Sequence, residues 1–373
     1  MQIPLIQDQQ TFNRLSTLID QLKIQKQNIL LIHDVDGDGL SSGKILVEGL
    51  QNLGVKIKFR FAAYDRTNLF GDFLLEFIQK NNITTIFTTD IGIYSTNFKD
   101  KKELLKDKTI VIFDHHEKPE NIDPNVLYFH PIITYGFNEP SQYCSSKLVY
   151  DLLSNFTNLS DLDWVASVGI VADSNYKTWG DFVDATLKKF NLPIPESPFD
   201  SELQKVGTYL YYALAMDKDS ADKAVKSYFR AKDYHEALEL LSGYEVVGEE
   251  IDTILKNWEK CAEKIGDVYF VVIEPKYKIN SIVSSKLSYL YENKTILVGA
   301  RNSTKEDKEP IMSFSVRRQD GKVNLTLLLK EMVTLLPGLA AGGHRQASGA
   351  KFFAKDYQMF KELFVKLHEK YTE

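Results

Sequence analysis

Thr109-Ile110-Val111-Ile112-Phe113-Asp114-His115-His116 is the stretch on which the reading of this chain turns. A short continuous apolar run reads as a strand buried on both faces, as in a parallel sheet. An ionisable triplet then falls where that strand ends. Two other runs repeat the arrangement. Asn28-Ile29-Leu30-Leu31-Ile32 leads into His33-Asp34-Val35-Asp36-Gly37-Asp38-Gly39, and Thr84-Thr85-Ile86-Phe87-Thr88-Thr89 leads into Asp90. Between them lie Ile45, Leu46, Leu50 and Leu53 at helical spacing, an alternating segment over 55–61, and a helical pattern over 73–79. This β–α alternation predicts an α/β fold, with a mostly parallel sheet and helices on both faces. In such sheets ligands bind outside the carboxyl ends of the strands. Asp36, Asp90 and Asp114 fall at those ends, in three separate units.

Downstream the period changes. Residues 141–261 read as helical, with helices over 145–153 and 164–172, and Leu192-Pro193-Ile194-Pro195-Glu196-Ser197-Pro198 is a proline-rich break. Several helices are expected over 201–264. A second mixed region begins near Asp267, with strands over 268–273, 295–298 and 311–316 and helices over 282–291, 323–333 and 357–371. The organisation predicted is a first domain over 1–195, a helical linker over 196–265 and a smaller α/β domain with a mixed sheet over 266–373.

Composition bounds the class. A chain of 373 residues is long for one domain. Its 22 Phe and 19 Tyr argue against disorder. Two cysteines, Cys144 and Cys261, lack metal-type spacing and fit a reducing cytosol, so a cytoplasmic protein is expected. No apolar run approaches the ~20 residues of a membrane span, and MQIPLIQDQQ lacks the pattern of a secretory signal. The net charge of −6 is uneven: residues 266–373 carry 17 basic and 12 acidic side chains, a net of +5, leaving −11 for the rest. An acidic first part suits cations and a basic second part suits phosphates.

Four clusters carry the chemistry. In the first, Asp34, Asp36 and Asp38 crowd three carboxylates into five residues of a strand-to-helix turn. Without a cation they repel one another. A calcium loop of the EF-hand type requires a glutamate at its twelfth position, and counting from Asp34 that position is Ile45. The second cluster is Asp90, which taken alone reads equally as a turn or capping residue. The third is Asp114-His115-His116, where adjacent imidazoles point differently and Asp114 can orient one of them. The fourth is Asp173, at the far end of the apolar run Gly169-Ile170-Val171-Ala172. Four ordinary surface aspartates falling at corresponding places is the weaker account. Oxygen-rich sites suit Mn²⁺ or Mg²⁺, and histidine tilts the choice to Mn²⁺. Two such ions suit in-line phosphoryl displacement. In the basic region, Ala340-Ala341-Gly342-Gly343-His344-Arg345 reads as a phosphate cradle or as a plain connecting loop, and Arg317 and Arg318 are further phosphate-binding candidates.

With these residues in place, the chain resembles the DHH phosphoesterase superfamily over nearly its whole length: DHH domain, helical linker, and DHH-associated domain with its Gly-Gly-His signature. The resemblance implies Asp36 and Asp90 at one metal ion, and Asp38, Asp90, His115 and Asp173 at the other, with Asp90 bridging. It implies His116 at the scissile phosphate, and Gly342, Gly343 and His344 at the nucleotide end. One departure is Ile32, where many members carry a histidine. Asp34 is the expected substitute ligand.

Asp-x-Asp-Gly followed by small residues is most similar to the RecJ branch, archaeal type. That implies an exonuclease releasing mononucleotides from single-stranded DNA or RNA. The alternatives are a phosphodiesterase for short oligonucleotides or cyclic dinucleotides, and a replication-associated scaffold. Replication or repair proteins are conceivable partners, and no membrane is expected. Polarity of digestion and DNA against RNA are not encoded in these motifs.

Overall fold

A computed structural model of the chain describes residues 4–25, 27–196, 200–302 and 309–372. Ser197 and Pro198, in the proline-rich break, lie outside the described residues. The chain divides into two compact units, residues 1–243 and 244–373.

The first unit is built on five parallel strands: β1 (Ile29–His33), β2 (Phe59–Ala62), β3 (Thr85–Thr89), β4 (Thr109–Phe113) and β5 (Leu127–Phe129). They lie in the order β2-β1-β3-β4-β5. β1 and β3 are buried along their whole length, which is why their sequences are apolar without alternation. β2 is half exposed at the sheet edge, and its polar alternation follows from that. It pairs only from Phe59, whereas the alternating pattern predicted a strand from Val55. Val55 instead seats in the core ahead of the strand. β5 is too short for periodicity to reveal.

The chain leaves β1 towards β2, then returns to the other side of β1 to form β3. The order therefore reverses between β1 and β3, and a crevice opens at the carboxyl ends of such a pair. In-register pairing of His33 with Thr89, and of Thr89 with Phe113, brings the residues after each strand to one level. A helix over Gly37–Asn52 starts immediately beyond β1 and packs against helices over Ser145–Leu153 and Asp163–Ala172.

The second unit holds a mixed six-stranded sheet: β6 (Ala262–Ile265), β7 (Val268–Ile273), β8 (Thr295–Asn302), β9 (Ile311–Arg317), β10 (Ala340–Gly343) and β11 (Ala347–Phe353). The order is β10-β11-β9-β8-β7-β6, and among the described residues only β7 and β8 of this sheet pair in parallel. Two readings are corrected here. The helical pattern expected to run to Lys264 ends earlier, and β6 forms a hairpin with β7 through Gly266, whose φ of 58° lies in the left-handed region that favours glycine. The Gly-Gly-His segment forms part of a β10–β11 hairpin rather than a plain connecting loop.

Phe314 on β9 stacks with Phe352, Tyr357 and Phe360 in the core of this unit. Its ring covers Gly299, the residue paired with it on β8. A methyl group at Gly299 would lie 2.3 Å from that ring. Gly299→Ala is therefore expected to destabilise the second unit by about 1–3 kcal/mol, the usual cost of overpacking. Urea unfolding followed by Tyr and Trp fluorescence measures this, and an unchanged midpoint would contradict the packing described.

Candidate metal centre

The strand ends supply the site. Asp36 caps the Gly37–Asn52 helix, its carboxylate accepting the Gly39 N–H at 2.9 Å. That leaves its other oxygen in a half-exposed position. Asp38, in the first turn of the same helix, is buried. Its two oxygens accept the backbone N–H groups of Ser145 (2.7 Å) and Ser146 (2.9 Å) at the start of another helix. Helix N-termini favour anions, so this is a seat for a carboxylate.

Asp90 follows β3 with φ 61°, a left-handed conformation that costs a non-glycine residue energy. Its N–H is held by the Phe113 carbonyl at 2.9 Å, and its Oδ1 accepts the Ser145 hydroxyl at 3.0 Å. The twist turns a buried carboxylate into the crevice. Asp173 ends the Asp163–Ala172 helix and accepts Asn175 Nδ2 at 2.8 Å.

The histidines close the site from β4. His115 is mostly buried, with Nε2 3.4 Å from Asp90 Oδ1 and Nδ1 3.8 Å from Asp173 Oδ2. His116 is 38 % exposed, and its Nδ1 donates to Asp114 Oδ1 at 2.7 Å. Asp114 thus orients His116. Asp34 is buried and gripped by Arg66, whose Nε donates to Oδ1 at 3.1 Å and whose terminal nitrogen pairs with Oδ2. The same guanidinium lies 4.0 Å from Asp36.

Three groups of ligand atoms result, each within 4.8 Å: Asp34 with Asp36 and Asp90, Asp38 with His115 and Asp173, and Asp90 with His115 and His116. The first and third groups share Asp90, and the second and third share His115. The electrostatics fit cations. Burial, followed by the charges of Asp38, Asp36, Asp114 and Asp173, pushes the Asp90 carboxyl well above its usual range. Burial and Asp38 push Asp173 up to about 7. Burial opposes charge on His115, yet Asp38, Asp173 and Asp114 outweigh it and raise that imidazole. Among the described residues, the His115 Nδ1 is a buried nitrogen without a hydrogen-bond partner. A buried ring nitrogen facing carboxylates that repel one another is what a divalent cation, taking the place of the proton, would satisfy.

Several residues here were not legible beforehand. Arg66 sits in a loop after β2 with no pattern around it. Ser145 and Ser146 are recognisable as a helix start, but not as the seat of Asp38. Asn175 holds Asp173, and the buried His130 reaches the His116 carbonyl at 2.9 Å.

The expected phosphate-binding residues lie in the second unit. Gly342, Gly343, His344 and Arg345 occupy the exposed tip of the β10–β11 hairpin, and β10 is a sheet edge, so part of its backbone faces outward. Gly343 has φ 139°, and a Cβ there would meet the Ala347 carbonyl at 2.4 Å. The His344 N–H is already given to the Ala347 carbonyl at 2.8 Å. Arg317 donates to Ser285 Oγ at 3.2 Å, and Arg345 to the Gly321 carbonyl at 2.8 Å. Arg318 turns inward: it is buried and doubly bonded to Asp320, at 2.7 and 3.0 Å.

Residues 28–170 match the family model described as the DHH family, N-terminal domain. The single-stranded-DNA-specific exonuclease RecJ of Bacillus subtilis is 28% identical over 378 residues, covering 91% of this chain and 45% of that protein. Among solved structures, RecJ from Thermus thermophilus in complex with Mn²⁺ superposes with a TM-score of 0.71 at 17% identity, covering all of this chain and 56% of that one. An exonuclease RecJ bound to manganese gives 0.70 at 18% identity, covering 98% and 95%. The chain thus spans about half the length of the Bacillus subtilis RecJ protein and of the first of these structures. At such identities the superpositions speak for the fold.

With cations chelated, Asp173 should penalise the folded state once it ionises. A carboxyl raised from 3.8 to about 7 contributes stability that is present below pH 3.8 and lost as pH rises through 7. Asp173→Asn removes this dependence. Thermal melts of both proteins in chelator are expected to diverge between about pH 4 and 7, the variant gaining on the wild type as pH rises, and to keep that separation above pH 7. Parallel melting curves would mean that Asp173 is not crowded by other carboxylates.

Proposed function

We propose that this RecJ-like chain, with a DHH-family N-terminal domain over residues 28–170, is a divalent-metal-dependent phosphodiesterase acting as an exonuclease on single-stranded nucleic acid. The observation that carries the reading is the convergence of Asp36, Asp38, Asp90, His115 and Asp173 on the β1–β3 crevice. Asp36 and Asp90 would hold one ion, and Asp38, His115 and Asp173 the other, with Asp90 placed between. Two divalent cations there would activate water and neutralise charge on the leaving oxygen. Manganese is the first choice, because a nitrogen ligand accompanies the carboxylates; magnesium is the second.

The chain's own residues do the rest. The amides of Ser145 and Ser146 keep Asp38 from rotating away. Ser145 fixes one oxygen of Asp90, leaving the second for a ligand. Asp114 accepts a proton-bearing Nδ1 from His116, which leaves Nε2 to meet the scissile phosphate. Asp34, the expected substitute ligand, is paired with Arg66, so it would hold that guanidinium beside Asp36 and an ion bound there. In the second unit, the exposed hairpin with His344 and Arg345, together with Arg317, would meet nucleotide phosphates. Arg318 supports the fold through Asp320.

Single-stranded DNA and RNA labelled at the 5′ or 3′ end, digested with Mn²⁺, Mg²⁺ or chelator, test this. Mononucleotides from one end are expected, with no product in chelator. Asp38→Ala and His115→Ala should each lower turnover on the order of 100-fold or more, with circular dichroism unchanged. Undiminished cleavage by either variant would sink the two-metal reading. Cleavage confined to dinucleotides or cyclic dinucleotides would move the substrate from long strands to a closed pocket.

A further inference from the structure

We propose that His130 is the positioning residue for His116, an inference that rests on the phosphodiesterase reading for its consequence but not for its geometry. His130 leaves the end of β5 and is completely buried. Its two ring nitrogens have opposite duties. The Ile132 N–H donates to Nδ1 at 3.3 Å, capping the helix over Pro131–Tyr135. An accepting Nδ1 carries no proton, so in the neutral ring the proton sits on Nε2. That Nε2–H donates to the His116 carbonyl at 2.9 Å. The tautomer is therefore set by the start of a helix, and it supplies the donor that the His116 backbone needs.

His116 is consequently held at three points. Its N–H and its Nδ1–H both go to Asp114 Oδ1, at 3.3 and 2.7 Å, and its carbonyl goes to His130. Tyr128, two residues before His130, donates to the other Asp114 oxygen at 3.5 Å. The Tyr128 and His130 rings stack, with centroids 5.8 Å apart and planes 15° apart. Alternate residues of an edge strand share one face, so β5 and its exit offer a rigid two-ring support. One ring braces the carboxylate that binds the His116 side chain, and the other braces the His116 backbone. Nε2 of His116 is then the ring nitrogen left for a phosphate or a cation.

The two duties can be separated. An asparagine amide matches the position of Nδ1, so His130→Asn keeps the helix cap and loses the donor to His116. A glutamine amide matches Nε2, so His130→Gln keeps the donor. Two measurements are made on the full chain: ¹⁵N resonances of the His116 ring without metal, and Mn²⁺-dependent hydrolysis of single-stranded DNA. The wild type should show one His116 tautomer with the proton on Nδ1. In His130→Asn that signal should split or shift, and turnover should fall roughly 10–100-fold, as for other residues that orient a site from behind. His130→Gln should return both towards wild type.

Wild-type signals and turnover in His130→Asn would overturn the proposal, as would equal losses in both variants. Should His130→Asn not fold, His130→Gln decides: a retained tautomer supports the proposal and a lost one overturns it. A wild type that cleaves nothing, while the His116 signals behave as described, would remove the phosphodiesterase reading and leave the positioning intact.

Discussion

Repulsion among buried carboxylates is the constraint around which the first unit is organised. Asp34, Asp38, Asp90 and Asp114 are almost wholly buried, and Asp36 and Asp173 stand beside them. Ionised and unpaired, such a group would cost more than any single packing contact returns. The fold meets the problem by giving each carboxylate its own donor. Asp38 takes two helix-start amides, Asp90 a serine hydroxyl, Asp34 a guanidinium and Asp114 an imidazole. These donors hold the carboxylates apart in direction and together in position. What they leave unsatisfied is directed into the crevice between β1 and β3, where cations would complete the balance.

The same constraint explains where strain is tolerated. Asp90 keeps a left-handed backbone at the end of a fully buried strand. Its amide is locked by the neighbouring strand, so the conformation is over-determined by pairing rather than chosen locally. Ser174, next to Asp173, has φ 58° as well. One departure lies in a residue aimed at the crevice and the other directly follows one, as expected where geometry serves a ligand. Around His116 rigidity comes instead from layering, with β5 and its exit placing Tyr128 and His130 behind Asp114 and the histidine. A short edge strand of three residues therefore matters more to the site than its length implies.

Much of this was legible in order and type. Strands β1, β3 and β4 are visible as apolar runs because parallel strands covered on both faces have no polar side to show. The aspartates at their ends are visible for the same reason: a charge directly after such a run must sit at a strand terminus. β5, β6 and the β10–β11 hairpin were not legible. β5 and β6 are short, and in the hairpin small residues carry no periodic signal. Arg318 illustrates the limit for charged side chains. From its neighbours it resembled a phosphate contact, but Asp320, two residues on, draws it inward. His130 read as nothing in particular, since its meaning depends on a carbonyl fourteen residues away.

The carboxylates and imidazoles gathered at the crevice, and the strands that carry them, can be read directly from the chain, because apolar runs and the charges ending them are local patterns. Which atoms meet depends on the fold. Strand order placed the aspartates after β1 and β3 side by side, a helix start from residue 145 supplied the seat for Asp38, and Arg66 arrived from a loop to claim Asp34. Those pairings join residues far apart in the chain, where the pattern of one segment holds no information about the other, and where burial alone makes each partner necessary.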